Sequence, residues 1–143
     1  MQWDDSANAG FTRGTPWLPV PSSYKTVNVA SELKDPSSVL QVYRRLLALR
    51  HENRALLYGD YVAVNENDAN VLSYLRRYNN EAVLVVLNMS SQAQRVSFDL
   101  GPQGFNAKRA RTLVTTMGTG SKAVSLTRLS LQPFSVYVGE VSK

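Results

Sequence analysis

From Ala55 onward the apolar residues of this chain fall at every second position, and that period decides what most of it can become. Successive side chains on a strand point to opposite faces, so such a segment buries one face and wets the other. Segments 60–65, 70–78, 81–88, 94–100, 108–117, 123–126 and 133–141 read as strands, all but one by this rule. Val96, Phe98 and Leu100 alternate with Arg95, Ser97 and Asp99. Phe134, Val136 and Val138 alternate in the same way with Ser135, Tyr137 and Gly139, which predicts one wet face there too. The run Val83-Leu84-Val85-Val86-Leu87 does not alternate, and so predicts a central strand buried on both sides. Asn79-Asn80 reads as a tight hairpin turn. Gly101-Pro102, Gly104, Gly118-Thr119-Gly120 and Gln132-Pro133 supply further turns. Short strands with frequent turns predict a mainly β fold: an antiparallel, Greek-key-like β-sandwich of about seven or eight strands.

What precedes the strands obeys a different period. Val39, Leu40, Tyr43, Leu46 and Leu47 share one helical face, widened by Val42 and Leu49, while Gln41, Arg44, Arg45 and Ala48 lie opposite. The spacing predicts one helix over 35–51, with Asp35 as N-cap and Pro36 at the first helical position. Arg50 and His51 would sit in its last turn, where positive charge suits the helix dipole, so His51 reads as a surface residue. The apolar stripe is broad for a helix in so small a chain and calls for a large partner surface. Residues 1–34 carry Pro16, Pro19, Pro21, Gly10 and Gly14 with no sustained period, and read as a long loop. Trp3, Phe11, Trp17, Leu18 and Tyr24 argue that this loop packs on something. The expected organisation is therefore 1–51, a loop and helix, followed by 52–143, a β-domain.

Composition narrows the chemistry. At 143 residues the chain is too short for a (β/α)8 barrel of about 250 residues. With no cysteine there are no disulfides, thiolate metal sites or Cys nucleophiles, and one histidine excludes His-rich metal sites. Neither a metal nor another cofactor is expected. No run approaches the roughly 18–20 apolar residues of a membrane span, and no signal peptide is visible, so the expected location is cytoplasmic. The net charge is +5, but its cations are scattered at Arg44 and Arg45, Arg76 and Arg77, and Lys108, Arg109 and Arg111. That scatter reads as solvated faces, and no nucleic-acid partner is expected.

Candidate chemistry concentrates in the first segment. Acidic pairs drive glycoside hydrolysis, but Asp4 with Asp5, and Glu66 with Asp68, are near neighbours in loops, where carboxylates usually bond the turn backbone. The stretch from Asn65 to Asn70 lacks the glycine and distal Glu of an EF-hand and reads as a hairpin turn. Asn88-Met89-Ser90 matches a glycosylation sequon, a short pattern that chance often produces. Trp3, Phe11, Trp17 and Tyr24 beside Asp4, Asp5 and Asn8 form the more telling set. Aromatic faces cover sugar C–H surface while carboxylates and amides take hydroxyls. The competing reading is that these aromatics fasten the loop to another part of the protein.

The sequence from Met1 to Phe11, Met-Gln-Trp-Asp-Asp-Ser-Ala-Asn-Ala-Gly-Phe, resembles a segment of glycoside hydrolase family 13 α-glucosidases and oligo-1,6-glucosidases. The resemblance continues through Pro16-Trp17-Leu18-Pro19-Val20, Val27-Asn28-Val29 and the helix that opens at Asp35-Pro36-Ser37-Ser38-Val39. Gly59-Asp60-Tyr61 and Val85-Val86-Leu87-Asn88-Met89-Ser90 resemble the family's C-terminal β-domain. What this implies is specific. The family's Asp nucleophile, Glu acid/base and transition-state-stabilising Asp come earlier than these motifs, so no residue here takes those roles. Residues 1–34 become the loop after the last barrel strand, 35–51 the last barrel helix, and 52–143 the appended sandwich. Met1 becomes an internal methionine of the family motif.

The implied function is that of a non-catalytic C-terminal domain of a bacterial α-glucosidase that stabilises a barrel performing retaining hydrolysis of α-glucosidic bonds. Alone, the chain is expected to be inactive. Gln2, Trp3, Asp4, Asp5, Asn8 and Trp17 are the candidate sugar-facing residues, because barrel loops of this kind line the catalytic face. Expected partners are the catalytic barrel, or a second copy through the exposed helix face, and α-gluco-oligosaccharides. The alternative is a stand-alone carbohydrate-binding module.

Overall fold

The computed structural model describes residues 1–117 and 123–142. Chain contacts divide it into two compact units, Met1–Arg50 and His51–Lys143.

The second unit holds nearly all of the core. Six strands form one antiparallel sheet in the order β1 (Asp60–Val64), β2 (Val71–Tyr78), β3 (Glu81–Asn88), β8 (Val136–Ser142), β5 (Arg109–Thr115), β6 (Ala123–Ser125). A second, two-stranded sheet pairs β4 (Gln94–Val96) with β7 (Leu129–Leu131). The continuous apolar run lies on β3, between β2 and β8, and is buried on both faces as its sequence predicts. Ala82, Leu84 and Val86 point to the larger core, where Val96, Phe98, Leu129 and Leu131 cover them. Val83 and Val85 point the other way, into a smaller cluster closed by Ala55 and Leu56 of a short helix, α3 (Arg54–Tyr58). The large sheet is thus a middle layer, with the small sheet on one face and α3 on the other. Tyr78 faces Glu81 in the β2–β3 register, so Asn79-Asn80 is a two-residue turn, and Asn79 takes the positive φ of 52° that asparagine tolerates.

Several expectations need correction. β8 was expected to have a wet face, yet it is flanked by β3 and β5 and covered on both sides. Tyr137 is fully buried; its hydroxyl donates to the Ala110 carbonyl at 3.3 Å, and burial raises its pKa, with a Thr112 hydrogen bond acting the other way. Gly139 is required beneath it, since a Cβ there would lie 2.4 Å from the Tyr137 hydroxyl oxygen. Phe134, expected to point inward, is 68% exposed in the turn before β8, with φ at 53°. β4 ends at Val96, not Leu100, although the in–out alternation of Val96, Phe98 and Leu100 persists beyond it. β7 escapes sequence reading because three residues show too little period. β5 carries a register shift between Thr112 and Val114, which lets Leu113 and Val114 both pack against the smaller cluster. The turn expected at Gly118-Thr119-Gly120 lies outside the described residues.

The expectation of a single helix is also revised. Besides α3, a one-turn helix α1 (Val29–Glu32) interrupts the expected loop. The long helix is α2 (Val39–Glu52), which starts later than expected. Asp35 is not its cap: the carboxylate accepts from Ser37 N at 2.8 Å and from the Ser37 hydroxyl, which lowers its pKa, and so closes a turn ahead of the helix. The first turn of α2 is capped instead by Ser38 Oγ, which accepts from Gln41 N at 3.2 Å, and by Glu32, which accepts from Leu40 N at 3.0 Å. Two competent caps stand three residues apart, and the second one wins.

Asn88, in the sequon, is 2% exposed and works as a structural clamp. Its amide donates to the Gln92 and Gln132 carbonyls at 2.7 and 2.9 Å, and its carbonyl oxygen accepts from Ser90 N at 3.0 Å and from Ser90 Oγ at 2.8 Å. Asn88→Ala strands these groups, and we expect a loss of about 1–3 kcal/mol in urea unfolding; an unchanged midpoint would contradict the clamp.

Candidate functional site

The candidate sugar-facing residues lie in a tightly wound turn of the first unit. Asp4 Oδ1 accepts from Ser6 N at 2.9 Å and from the Ser6 hydroxyl. These two bonds, the hydroxyl's first, hold the Asp4 pKa below the ordinary carboxylate range. The chain then reverses through left-handed residues Asn8 and Ala9, with φ of 55° and 56°, and Gly10, with φ of 65°. Gly10 has a second reason to be glycine: a Cβ there would sit 2.8 Å from the Asp4 carboxylate oxygens. Ala9 returns its carbonyl to Trp3 N at 2.9 Å and is buried. The Asn8 amide donates to the Thr12 and Gly14 carbonyls at 3.2 and 3.1 Å.

This turn is fixed to the start of α1. Val29 N donates to the Gln2 carbonyl and Ala30 N to the Trp3 carbonyl, both at 2.9 Å. Asn28, buried, forms a reciprocal capping box with Ser31: its Oδ1 accepts from Ser31 N at 2.8 Å, and its own N–H donates to Ser31 Oγ at 3.2 Å. Asn28 also reaches back to the Tyr24 carbonyl at 2.8 Å. Sequence reasoning missed this residue as an anchor, although the Asn-x-x-Ser spacing ahead of Glu32 was the available signal.

The structure therefore brings Gln2, Trp3, Asp4 and Asn8 into one turn. Asp5 is exposed, and its carbonyl accepts from Lys25 Nζ at 2.9 Å. Gln2 and Asn8 share the wall of a small pocket of about 150 Å³ with Phe11 and Pro19. Trp17 does not line it; its side chain stands 89% exposed. Asp4 Oδ1 and the Asn8 amide are engaged in holding the backbone, which leaves their capacity for sugar hydroxyls reduced.

A larger cavity of about 450 Å³ lies between the first residues, α1 and the apolar face of α2, lined by Gln2, Val29, Val39, Leu40, Tyr43 and Leu47. Val39 is 71% and Tyr43 64% exposed. In this first unit only Ala9, Asn28 and Ser38 are buried. The broad stripe noted in the sequence is thus present and largely uncovered: Val39, Tyr43, Leu46 and Leu47 are exposed, and Leu40, Val42 and Leu49 are half-buried.

Comparison with known proteins now bears on this layout. Residues 1–59 match the family model for the α-amylase catalytic domain, and residues 61–138 match the model for the maltogenic amylase C-terminal domain. The chain belongs to glycoside hydrolase family 13, the α-amylase family. It corresponds to the C-terminal region of the family's α-glucosidases. An oligo-1,6-glucosidase of Parageobacillus thermoglucosidasius is 46% identical over 64% of the chain and 16% of that protein. One from Bacillus cereus is 31% identical over 96% of the chain and 24% of that protein. A trehalose-6-phosphate hydrolase of Bacillus subtilis is 31% identical over the whole chain and 25% of that protein. Among solved structures, an isomaltulose synthase from Klebsiella sp. LX3 superposes with a TM-score of 0.83 at 34% identity, covering 98% of the chain and 24% of that enzyme. The family 13 chain thus spans a quarter or less of the length of these relatives. Among its described residues no helix is long and apolar enough to cross a membrane.

The Asp4 turn makes a direct prediction. The amide of Ser6, followed by NMR, should titrate with a midpoint below the ordinary Asp value of about 3.9. Because the folded-state pKa is lowered, the turn's contribution is present above about pH 4 and fades as pH falls through that midpoint. A midpoint at or above about 4 would contradict the geometry.

Proposed function

We propose that this chain is the non-catalytic end of an α-glucosidase that acts on α-linked gluco-oligosaccharides by retaining hydrolysis. In this reading residues 1–50 complete a (β/α)8 barrel, and the β-domain stabilises it. The observation that carries the reading is the contrast between the two units. The second has a two-sided core of its own, whereas the first buries only Ala9, Asn28 and Ser38 and exposes the apolar stripe of α2. A unit of 50 residues without a core gains too little burial to offset its chain entropy, so it belongs against another surface. The preceding barrel is that surface; without it, the same stripe favours self-association. Gln2, Trp3, Asp4, Asp5, Asn8 and Trp17 then lie on the loop nearest the sugar, with the nucleophile and acid/base supplied by the barrel. No metal, cofactor, membrane or nucleic acid enters this reading. Several cations are spent locally: Arg111 pairs with Glu140, and Arg76 donates twice to the Gly59 carbonyl. A cytoplasmic location completes the proposal.

Pure chain should give no turnover of p-nitrophenyl α-glucoside or isomaltose. Clear hydrolysis that disappears in Asp4→Asn or Asp5→Asn would overturn the reading.

A further inference from the structure

A third cavity, of about 270 Å³, lies at the β1–β2 hairpin of the second unit and is lined by none of the loop residues discussed above. Its wall includes Tyr61, a residue 60% exposed whose ring packs against Tyr74 with centroids 4.9 Å apart and planes tilted by 32°. This contact with Tyr74 restricts the Tyr61 ring before any ligand arrives, which lowers the entropic cost of binding. Glu66 and Asn70 from the hairpin, with Met89, complete the wall. Asp68 is already committed: Oδ1 accepts from Asn70 N and Val71 N, and Oδ2 from the Asn65 amide. These bonds fold the hairpin turn on itself, while among the described residues no hydrogen bond engages the Glu66 carboxylate. No residue lining the cavity is cationic.

We propose that this cavity is a second sugar site, for a neutral gluco-oligosaccharide end. The Tyr61 ring covers the C–H face of one glucosyl unit, and Glu66 and Asn70 accept from and donate to its hydroxyls. The volume admits about one hexose ring and no extended chain. An acidic wall without a cation repels phosphate, so phosphorylated sugars are rejected. The choice of glucosyl ligand rests on the α-glucosidase reading; the neutral, aromatic-stacked character rests on the cavity alone.

The test is NMR titration of the full chain with isomaltotriose, maltotriose and trehalose 6-phosphate. We expect saturable shifts at Tyr61, Ala63, Leu72 and Met89 with at least one neutral sugar and none with the phosphorylated one. Tyr61→Ala should weaken binding about tenfold, Tyr61→Phe should largely retain it, and Glu66→Gln should weaken it less than the loss of the ring. Absence of shifts with either neutral sugar would overturn the proposal. So would equal binding of trehalose 6-phosphate, or a folded Tyr61→Ala variant that binds like the parent. Shifts confined to residues 2–17 would overturn it while leaving the loop reading intact, whereas failure of the proposed non-catalytic function would show separately, as hydrolysis of p-nitrophenyl α-glucoside or isomaltose by pure chain.

Discussion

The pairing of β3 with β8 at the middle of the six-stranded sheet is the contact on which the rest of the second unit depends. Both strands are buried on both faces, so each contributes to two clusters at once. On one side Leu84, Val86 and Tyr137 meet the small sheet; on the other Val83, Val85 and Val138 meet α3. Backbone groups so deeply buried must be paired, and a central position between two antiparallel neighbours satisfies them. Gly139 follows from the same arrangement, because the Tyr137 ring lies over it.

The first unit works by a different physics. Its order comes from local polar bonds: the Asp4–Ser6 turn, the left-handed Asn8–Gly10 reversal, the Asn28–Ser31 capping box and the Ser38 cap. Such bonds contribute only about 0.5–1.5 kcal/mol each. They set the shape of a segment but do not replace a core. The apolar surface that would supply one is present on α2, where Val39, Tyr43, Leu46 and Leu47 remain exposed. This division accompanies a chain that spans a quarter or less of the length of its family 13 relatives: the second unit has a core of its own and the first does not.

Legibility in the sequence tracked the same division. The continuous run on β3 and the Asn79-Asn80 turn could be read directly, since two-sided burial and a two-residue hairpin leave strong local marks. The wet face expected for β8 failed because Ser135, Tyr137 and Gly139 look polar or small in isolation, whereas the fold buries all three. β7 was invisible because three residues carry no period. The start of α2 was misplaced because Asp35-Pro36 and Ser38 are both competent helix starts, and only the Glu32 carboxylate, brought in by α1, decides between them. Of the candidate site, the composition of the loop was legible. The bonding of Asp4 to the turn backbone was legible too, as a carboxylate in a tight loop; the engagement of Asn8 was not, because it arises at a left-handed residue that no periodicity reveals. The cavity beneath Tyr61 went unnoticed because its wall combines a strand aromatic with hairpin residues several positions away.

Hydrogen exchange of the full chain at low concentration tests the central claim most directly. Amides on β2, β3 and β8 should open only with global unfolding, while those of 1–50, including the body of α2, should exchange orders of magnitude faster. Protection of α2 equal to that of β3 would mean that the first unit draws its stability from within the chain, and would contradict the account.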